Sequence, residues 1–179
     1  MAHFEKQLTT KTIYDGKILE LHTDTVELEN GNQALREVII HHGGVGILPV
    51  DDQNNLLLVR QFRYPTGAEL LEIPAGKMER GEDPVQCGIR ELEEEGGCRA
   101  AVFESMGAMW PTPAYDTELD HLFYAEGLTP ATQHLDEDEF LDVVRLPLQE
   151  AVDMVLRNEI PDAKTQVAIL KYAALNARA

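Results

Sequence analysis

Cationic side chains are scarce in this chain: 15 Lys and Arg stand against 32 Asp and Glu, a formal net charge of −17 over 179 residues. A surface that negative repels phosphate backbones and anionic headgroups unless a basic patch is segregated on it, and the sequence shows none. Nucleic acids and membranes are therefore not expected partners. Cysteine is almost missing as well. Cys87 and Cys98 fall outside any Cys-x-x-Cys or Cys/His spacing, which excludes a thiolate metal site and leaves two reduced, buried thiols. No window offers the roughly 18 uncharged apolar residues of a membrane span, and Met1 to Gln7 lacks a signal-peptide core, so the expected location is the cytoplasm. Internal repeats and low-complexity stretches are absent too.

What is present is ordinary globular material. Hydrophobic residues make up 44% and charged residues 26%, enough for one compact core at this length. Turn residues set the organisation. Thr12 to Tyr14, Ile18 to His22 and Thr25 to Glu29 read as short strands broken at Asp15-Gly16, and Asn30-Gly31 marks a hairpin into Leu35 to His41. Val45 to Val50 and Leu56 to Arg63, parted by Asp51 to Asn55, read as a second, buried hairpin, followed by a strand at Leu70 to Ile73. His121 to Ala125 and Leu141 to Leu146 are later strands. Helices are expected after Asp83-Pro84, over Pro147 to Arg157, and over Asp162 to Ala177 with Asp162 as cap. The order predicts an α+β domain with mixed strands and helices on its faces, an N-terminal antiparallel β arm over residues 1–43, and a main body over 44–179.

Chemistry concentrates in the first helix. Val85, Ile89 and Leu92 fall at i, i+4 and i+7 and predict one apolar stripe, with Glu91 and Glu95 on another face and Glu94 beside them. Like charges at that spacing destabilise a helix unless cations neutralise them, so the run is either a solvated face or a cation site. The glycine-punctuated segment Gly76 to Glu82 delivers a further carboxylate to the helix start. Oxygen ligands of this kind suit a hard divalent cation such as Mg²⁺. Arg90 can pair with a neighbouring carboxylate and hold it in place.

Gly76, five residues, Glu82, seven residues, then Arg90-Glu91-Leu92-x-Glu94-Glu95-x-Gly97-Cys98 resembles the Nudix box, with Cys98 where a bulky aliphatic residue is usual. Val59 to Tyr64, Leu71-Glu72-Ile73-Pro74-Ala75-Gly76, Asp162 to Thr165, and Pro113, 16 residues after Gly97, extend the likeness to the ADP-ribose pyrophosphatase branch. Pro113-Ala114-Tyr115-Asp116-Thr117-Glu118 departs from the branch's usual run, which leaves the sugar open.

The resemblance implies an α/β/α sandwich around a mixed sheet, and hydrolysis of nucleoside diphosphate sugars by a Mg²⁺- or Mn²⁺-dependent enzyme. It also implies a homodimer in which strands from Thr9 to Leu28 help build the partner's pocket. By the same likeness Glu91, Glu95, Glu94 and the Ala75 carbonyl hold the metal, and Glu82 supports them from outside. The general base comes from Asp136 to Glu139, with Glu137 as base and Glu139 as an added metal contact, unless this run is a solvated acidic loop. Arg63, and less so Arg60, reads as a phosphate contact or a surface ion pair. Tyr14, Trp110 and Tyr115 read as base-stacking rings or packing residues, with Pro113 in the same region. Two other readings stay open: a hydrolase of dinucleoside polyphosphates or nucleoside triphosphates, and a non-catalytic nucleotide-sugar sensor.

Overall fold

A computed structural model describes residues 3–137 and 139–177. Two compact units emerge, Met1–Gly43 with Trp110–Leu119, and Gly44–Met109 with Asp120–Ala179.

The first unit is an antiparallel meander of β1 (Lys6–Asp15), β2 (Glu20–Glu27) and β3 (Gln33–Ile40), in that order across the sheet. Two long strands replace the three short pieces expected before Asn30, because the β1–β2 ladder runs on through its two register shifts. Asn30-Gly31 makes its turn as expected. Gly31 sits at φ +80°, a conformation open to glycine, and its N–H donates to the Leu28 carbonyl at 2.9 Å. β1 is an edge strand and is exposed along its whole length. Within this unit the 110–119 segment docks on β3: the Ile39 N–H donates to the Tyr115 carbonyl at 2.7 Å, and Thr117 N–H to the Ile39 carbonyl at 3.0 Å.

In the second unit, β4 (Gly44–Pro49), β5 (Asn55–Arg63), β6 (Ala68–Glu72) and β7 (Ala75–Lys77) precede α1 (Pro84–Glu94). Then follow β8 (Cys98–Arg99), β9 (Val102–Met109), β10 (Asp120–Glu126), β11 (Thr129–Pro130), β12 (Leu141–Pro147), α2 (Leu148–Leu156) and α3 (Ala163–Asn176). A mixed sheet runs β7-β4-β10-β9, with β4 and β10 parallel, beside an antiparallel sheet β12-β5-β6 and the short pair β11-β8. The expected β4–β5 hairpin is not a ladder. Beyond one bridge, Val50 to Leu56, the two strands join different sheets. Both are apolar on both faces, so their sequences specify central strands without specifying neighbours. β7 and β9 were not legible: one is three residues long, and the other mixes Glu104, Ser105 and Gly107 into its run.

Alternation along β4 separates two cores. Val45 and Ile47 pack with Leu92, Cys87, Cys98 and Phe123 on the α1 side, while Leu48 and Val50 pack with Leu122, Ile169, Ala151 and Tyr172 on the side of α2 and α3. Helices thus cover both faces of an α+β unit, and each fully buried Leu or Ile contributes about 1.5–3 kcal/mol.

One expectation about α1 fails. Val85 and Ile89 are 39% and 44% exposed, and the buried face is Cys87, Gly88, Glu91 and Leu92. The helix turns its carboxylates inward with Leu92 and leaves two aliphatic side chains in water.

Candidate active site

Asp83 starts α1 by accepting hydrogen bonds from the N–H groups of Val85 (3.0 Å) and Gln86 (3.1 Å), with Pro84 in the first turn. Gly97, at φ +60°, follows its end. Between β7 and the helix, the Glu82 carboxylate accepts from the Glu79 N–H at 2.8 Å, and this bond, ahead of the burial that opposes it, holds its pKa below the ordinary carboxylate value.

Arg90 gathers the box. Its Nη1 donates to Glu91 Oε1 at 2.7 Å and to Glu94 Oε2 at 2.8 Å, and its Nε and Nη2 reach Glu82 at 3.4–3.5 Å. Burial works against this cation, but the three carboxylates outweigh it and keep the guanidinium charged. Glu95 is placed differently: its Oε2 accepts from the Ala75 N–H at 2.8 Å, which ties the end of α1 to β7. Glu91 lies so close to β7 that a Cβ on Gly76 would fall 1.9 Å from its Oε1. Position 76 therefore has to be glycine for the carboxylate to lie where it does.

Glu91 and Glu95 are only 8% and 3% exposed. Burial pushes Glu95 up to about 8, with Glu91 and Glu139 adding to the rise and the Ala75 N–H and Arg63 opposing it. Glu91 is raised too, first by burial and then by Glu94 and Glu139, against Arg90. Two sunken carboxylates whose charge is costly, both built from hard oxygen donors, are what a divalent cation would repay, and the donor set fits one. Among the described residues no three acidic, imidazole or thiol groups are drawn together tightly enough to enclose an ion; Arg90 lies between Glu91 and Glu94 and donates to both. The thiols are not candidates: burial raises Cys87 to about 12 and Cys98 to about 11.

The acidic loop is brought to the end of α1 by contacts that the sequence did not reveal. Gln133 Nε2 donates to the Glu95 carbonyl at 2.6 Å, His134 N–H to the Glu94 carbonyl at 3.2 Å, and Ala131 N–H to the Gly97 carbonyl at 2.8 Å. These satisfy carbonyls that the helix leaves open. Glu139 is thereby within electrostatic reach of Glu91 and Glu95, whereas Glu137 is exposed in a turn. Asp138 lies outside the described residues.

Arg63 makes a two-pronged ion pair with Glu72, Nε to Oε1 at 2.8 Å and Nη2 to Oε2 at 2.9 Å, and it feels the charge of Glu95. Arg60 is exposed on the opposite face of β5. Tyr14, Trp110, Pro113 and Tyr115 all belong to the first unit and are exposed there; Tyr14 lays its ring over Gly16. Sequence reading missed Glu72 and Lys164 as site neighbours. The signals were there: a charged residue inside the apolar run Leu70 to Ile73, and both residues lying in segments that carry the branch likeness.

The chain matches known proteins over most of its length. The NUDIX domain profile matches residues 40–168, and the profile described as nucleoside diphosphate sugar hydrolase N-terminal domain matches residues 5–39. The chain is 40% identical over 167 residues to the ADP-ribose pyrophosphatase of Bacillus subtilis, covering 92% of this chain and 90% of that protein. It is 38% identical to the methanol dehydrogenase activator of Bacillus methanolicus, with the same coverage. In fold it matches a solved structure titled ADP compounds hydrolase, with a TM-score of 0.84 at 23% identity, covering 96% of this chain and 93% of that one. A complete glutamate box on a buried helix face, within a profile that spans most of the sequence, places this chain in the Nudix hydrolase family.

Proposed function

We propose that this enzyme hydrolyses the pyrophosphate bond of nucleoside diphosphate sugars, ADP-ribose among them, to a nucleoside monophosphate and a sugar phosphate. The observation that carries the reading is the pair Glu91 and Glu95, two carboxylates sunk against the backbone of Ala75 and Gly76 whose burial outweighs the Arg90, Arg63 and Ala75 N–H contacts that favour their charge. The match at residues 5–39 to a domain described for nucleoside diphosphate sugar hydrolases, and the 40% identity to an ADP-ribose pyrophosphatase, support the substrate class.

Hydrolases of this family depend on divalent metals. We assign Mg²⁺ here, with Mn²⁺ as a substitute, held by Glu91, Glu95, Glu94 and the Ala75 carbonyl with Glu139 as a further contact. When bound, the ion supplies Lewis-acid neutralisation of the phosphoryl oxygens. The chain's own groups do the rest. Glu137 takes the proton of the water whose oxygen attacks phosphorus while the bridging P–O bond breaks. Arg90 orients Glu91 and Glu94, with Glu82 on its far side. Arg63 pairs with phosphate oxygens; Arg60, on the opposite face of β5, has no part in this reading, and Tyr14, Pro113 and Tyr115 are assigned to substrate contact on the family likeness alone.

Among the described residues no helix is long and apolar enough to cross a membrane. We place the enzyme in the cytoplasm as a homodimer. The uncovered edge of β1 supports a second copy pairing through the N-terminal arm, residues 1–43.

A turnover panel of nucleotide sugars, dinucleoside polyphosphates and nucleoside triphosphates, each with Mg²⁺ and with Mn²⁺ and scored by product identity, tests the reading. ADP-ribose should give AMP and ribose 5-phosphate faster than the other classes react. Faster cleavage of a polyphosphate would transfer the assignment to that class.

A further inference from the structure

Glu72 is the most deeply buried charged side chain outside the box, 1% exposed, and nothing in the mechanism above uses it. Both of its oxygens are engaged. Arg63 grips them with Nε and Nη2, and Lys164 Nζ donates to Oε2. Lys164 in turn donates to Asp162 Oδ1 at 2.9 Å, the cap of α3, whose Oδ2 accepts from the Thr165 N–H (2.9 Å) and hydroxyl (2.6 Å). Thr165 Oγ1 accepts from the N–H of Ile73, the residue after Glu72, at 2.9 Å. The ring closes on itself, so Glu72 cannot shift without breaking bonds on β5, β6 and α3 together.

Burial alone would raise the Glu72 carboxyl, yet the Arg63 fork and Lys164 bring it below the ordinary value, so it stays ionised at neutral pH. An ionised, immobile carboxylate fixes the plane of the guanidinium it grips, since a bidentate pair leaves no freedom about the Arg63 terminal bonds. Nε and Nη2 are thereby committed. Among the described residues Nη1 is the Arg63 nitrogen with no protein acceptor, on a side chain that is part exposed and feels the Glu95 carboxylate.

We propose that Glu72 is a positioning residue: held from behind by Lys164, it locks the Arg63 guanidinium so that Nη1 is presented, already oriented, to an oxygen of the substrate's pyrophosphate. The proposal rests on the nucleotide-sugar hydrolase reading and on Arg63 as phosphate contact. Orientation set before binding lowers the cost of binding and does little to the bond-breaking step.

The test is a double-mutant cycle on ADP-ribose turnover with saturating Mg²⁺, using wild type, E72Q, R63A and the double variant, each checked for melting temperature. E72Q should raise KM about tenfold and change kcat less than about threefold, and in the R63A background the same substitution should change kcat/KM less than about twofold. Equal losses in both backgrounds, or a fall in kcat with KM unchanged, would overturn the proposal. If E72Q does not fold, E72D keeps the charge but draws the fork back, and it should show a smaller KM rise that again vanishes in R63A. A KM like wild type in E72D would count against positioning. A wild type that cleaves no nucleotide sugar defeats the functional reading instead. The cycle is then read on inorganic pyrophosphate binding by calorimetry, where coupling between positions 72 and 63 supports the positioning role and additivity refutes it.

Discussion

The carboxylate of Glu91 fills the space that any side chain at Gly76 would need: a Cβ there would lie 1.9 Å from Oε1 and 2.0 Å from Cδ. The first glycine of the box is thus a steric partner of the first helix glutamate, and the two positions form one device although they are remote in sequence.

Gly76→Ala should therefore act as a lesion of the acidic site. Either Glu91 rotates away or β7 gives, and displacement of a ligating group by about 1 Å typically costs about 10²-fold in rate. Steady-state turnover with a Mg²⁺ titration checks this. The expected result is a loss of that order with a higher Mg²⁺ requirement; wild-type kinetics would remove the steric link.

Replacing Glu95 or Glu94 by Gln should cut turnover by orders of magnitude with the fold retained by circular dichroism. Glu95→Gln has a second signature. The amide oxygen can still accept from the Ala75 N–H, and without metal the carboxyl it replaces, pushed up to about 8 by burial, is mostly protonated at pH 7, so the metal-free variant should melt no lower than metal-free wild type. Near-normal rates in either purified variant would contradict the metal-site assignment.

The two acidic-loop glutamates should separate by kinetic parameter. If Glu137 is the base, Glu137→Gln lowers kcat far more than it changes KM, whereas Glu139→Gln, which removes a charge near Glu91 and Glu95, should chiefly raise the Mg²⁺ concentration needed for half activity. The larger kcat loss falling on Glu139→Gln would exchange the roles.

Acid should erode the Glu72 network in a definite direction. The folded pKa of Glu72 lies below the ordinary value, so its contribution is complete above the unfolded carboxylate pKa of about 4.3 and is lost as pH falls through the folded one. Arg63 and Lys164 stay charged throughout. Denaturant unfolding of wild type and Glu72→Gln should show a gap of about 3 kcal/mol at pH 7 that closes on acidification below about pH 4. A gap constant down to pH 3 would show that charge is not what the network contributes.

Local features were legible because they are set within a few residues. Asp83-Pro84 specified a helix start, Asn30-Gly31 a turn and Asp162 a cap, and each is present where the side chain can reach the backbone it serves. The α1 stripe misled for an equally local reason. Hydrophobicity alone favoured Val85 and Ile89 as the buried face, but the neighbouring β7 backbone offers Glu95 a hydrogen bond and Glu91 a glycine-lined space, which no helical periodicity encodes.

Spacing of like charges, scarcity of cations and the box pattern were decided by covalent order, so the sequence by itself determined that this chain carries a glutamate helix suited to a hard cation. Long-range contact decided the rest. Which way α1 turns, how β4 and β5 part into two sheets, and how Glu72 gathers Arg63 and Lys164 depend on groups up to 92 residues apart meeting in a low-dielectric interior, where each charge must find its partner or stay in water.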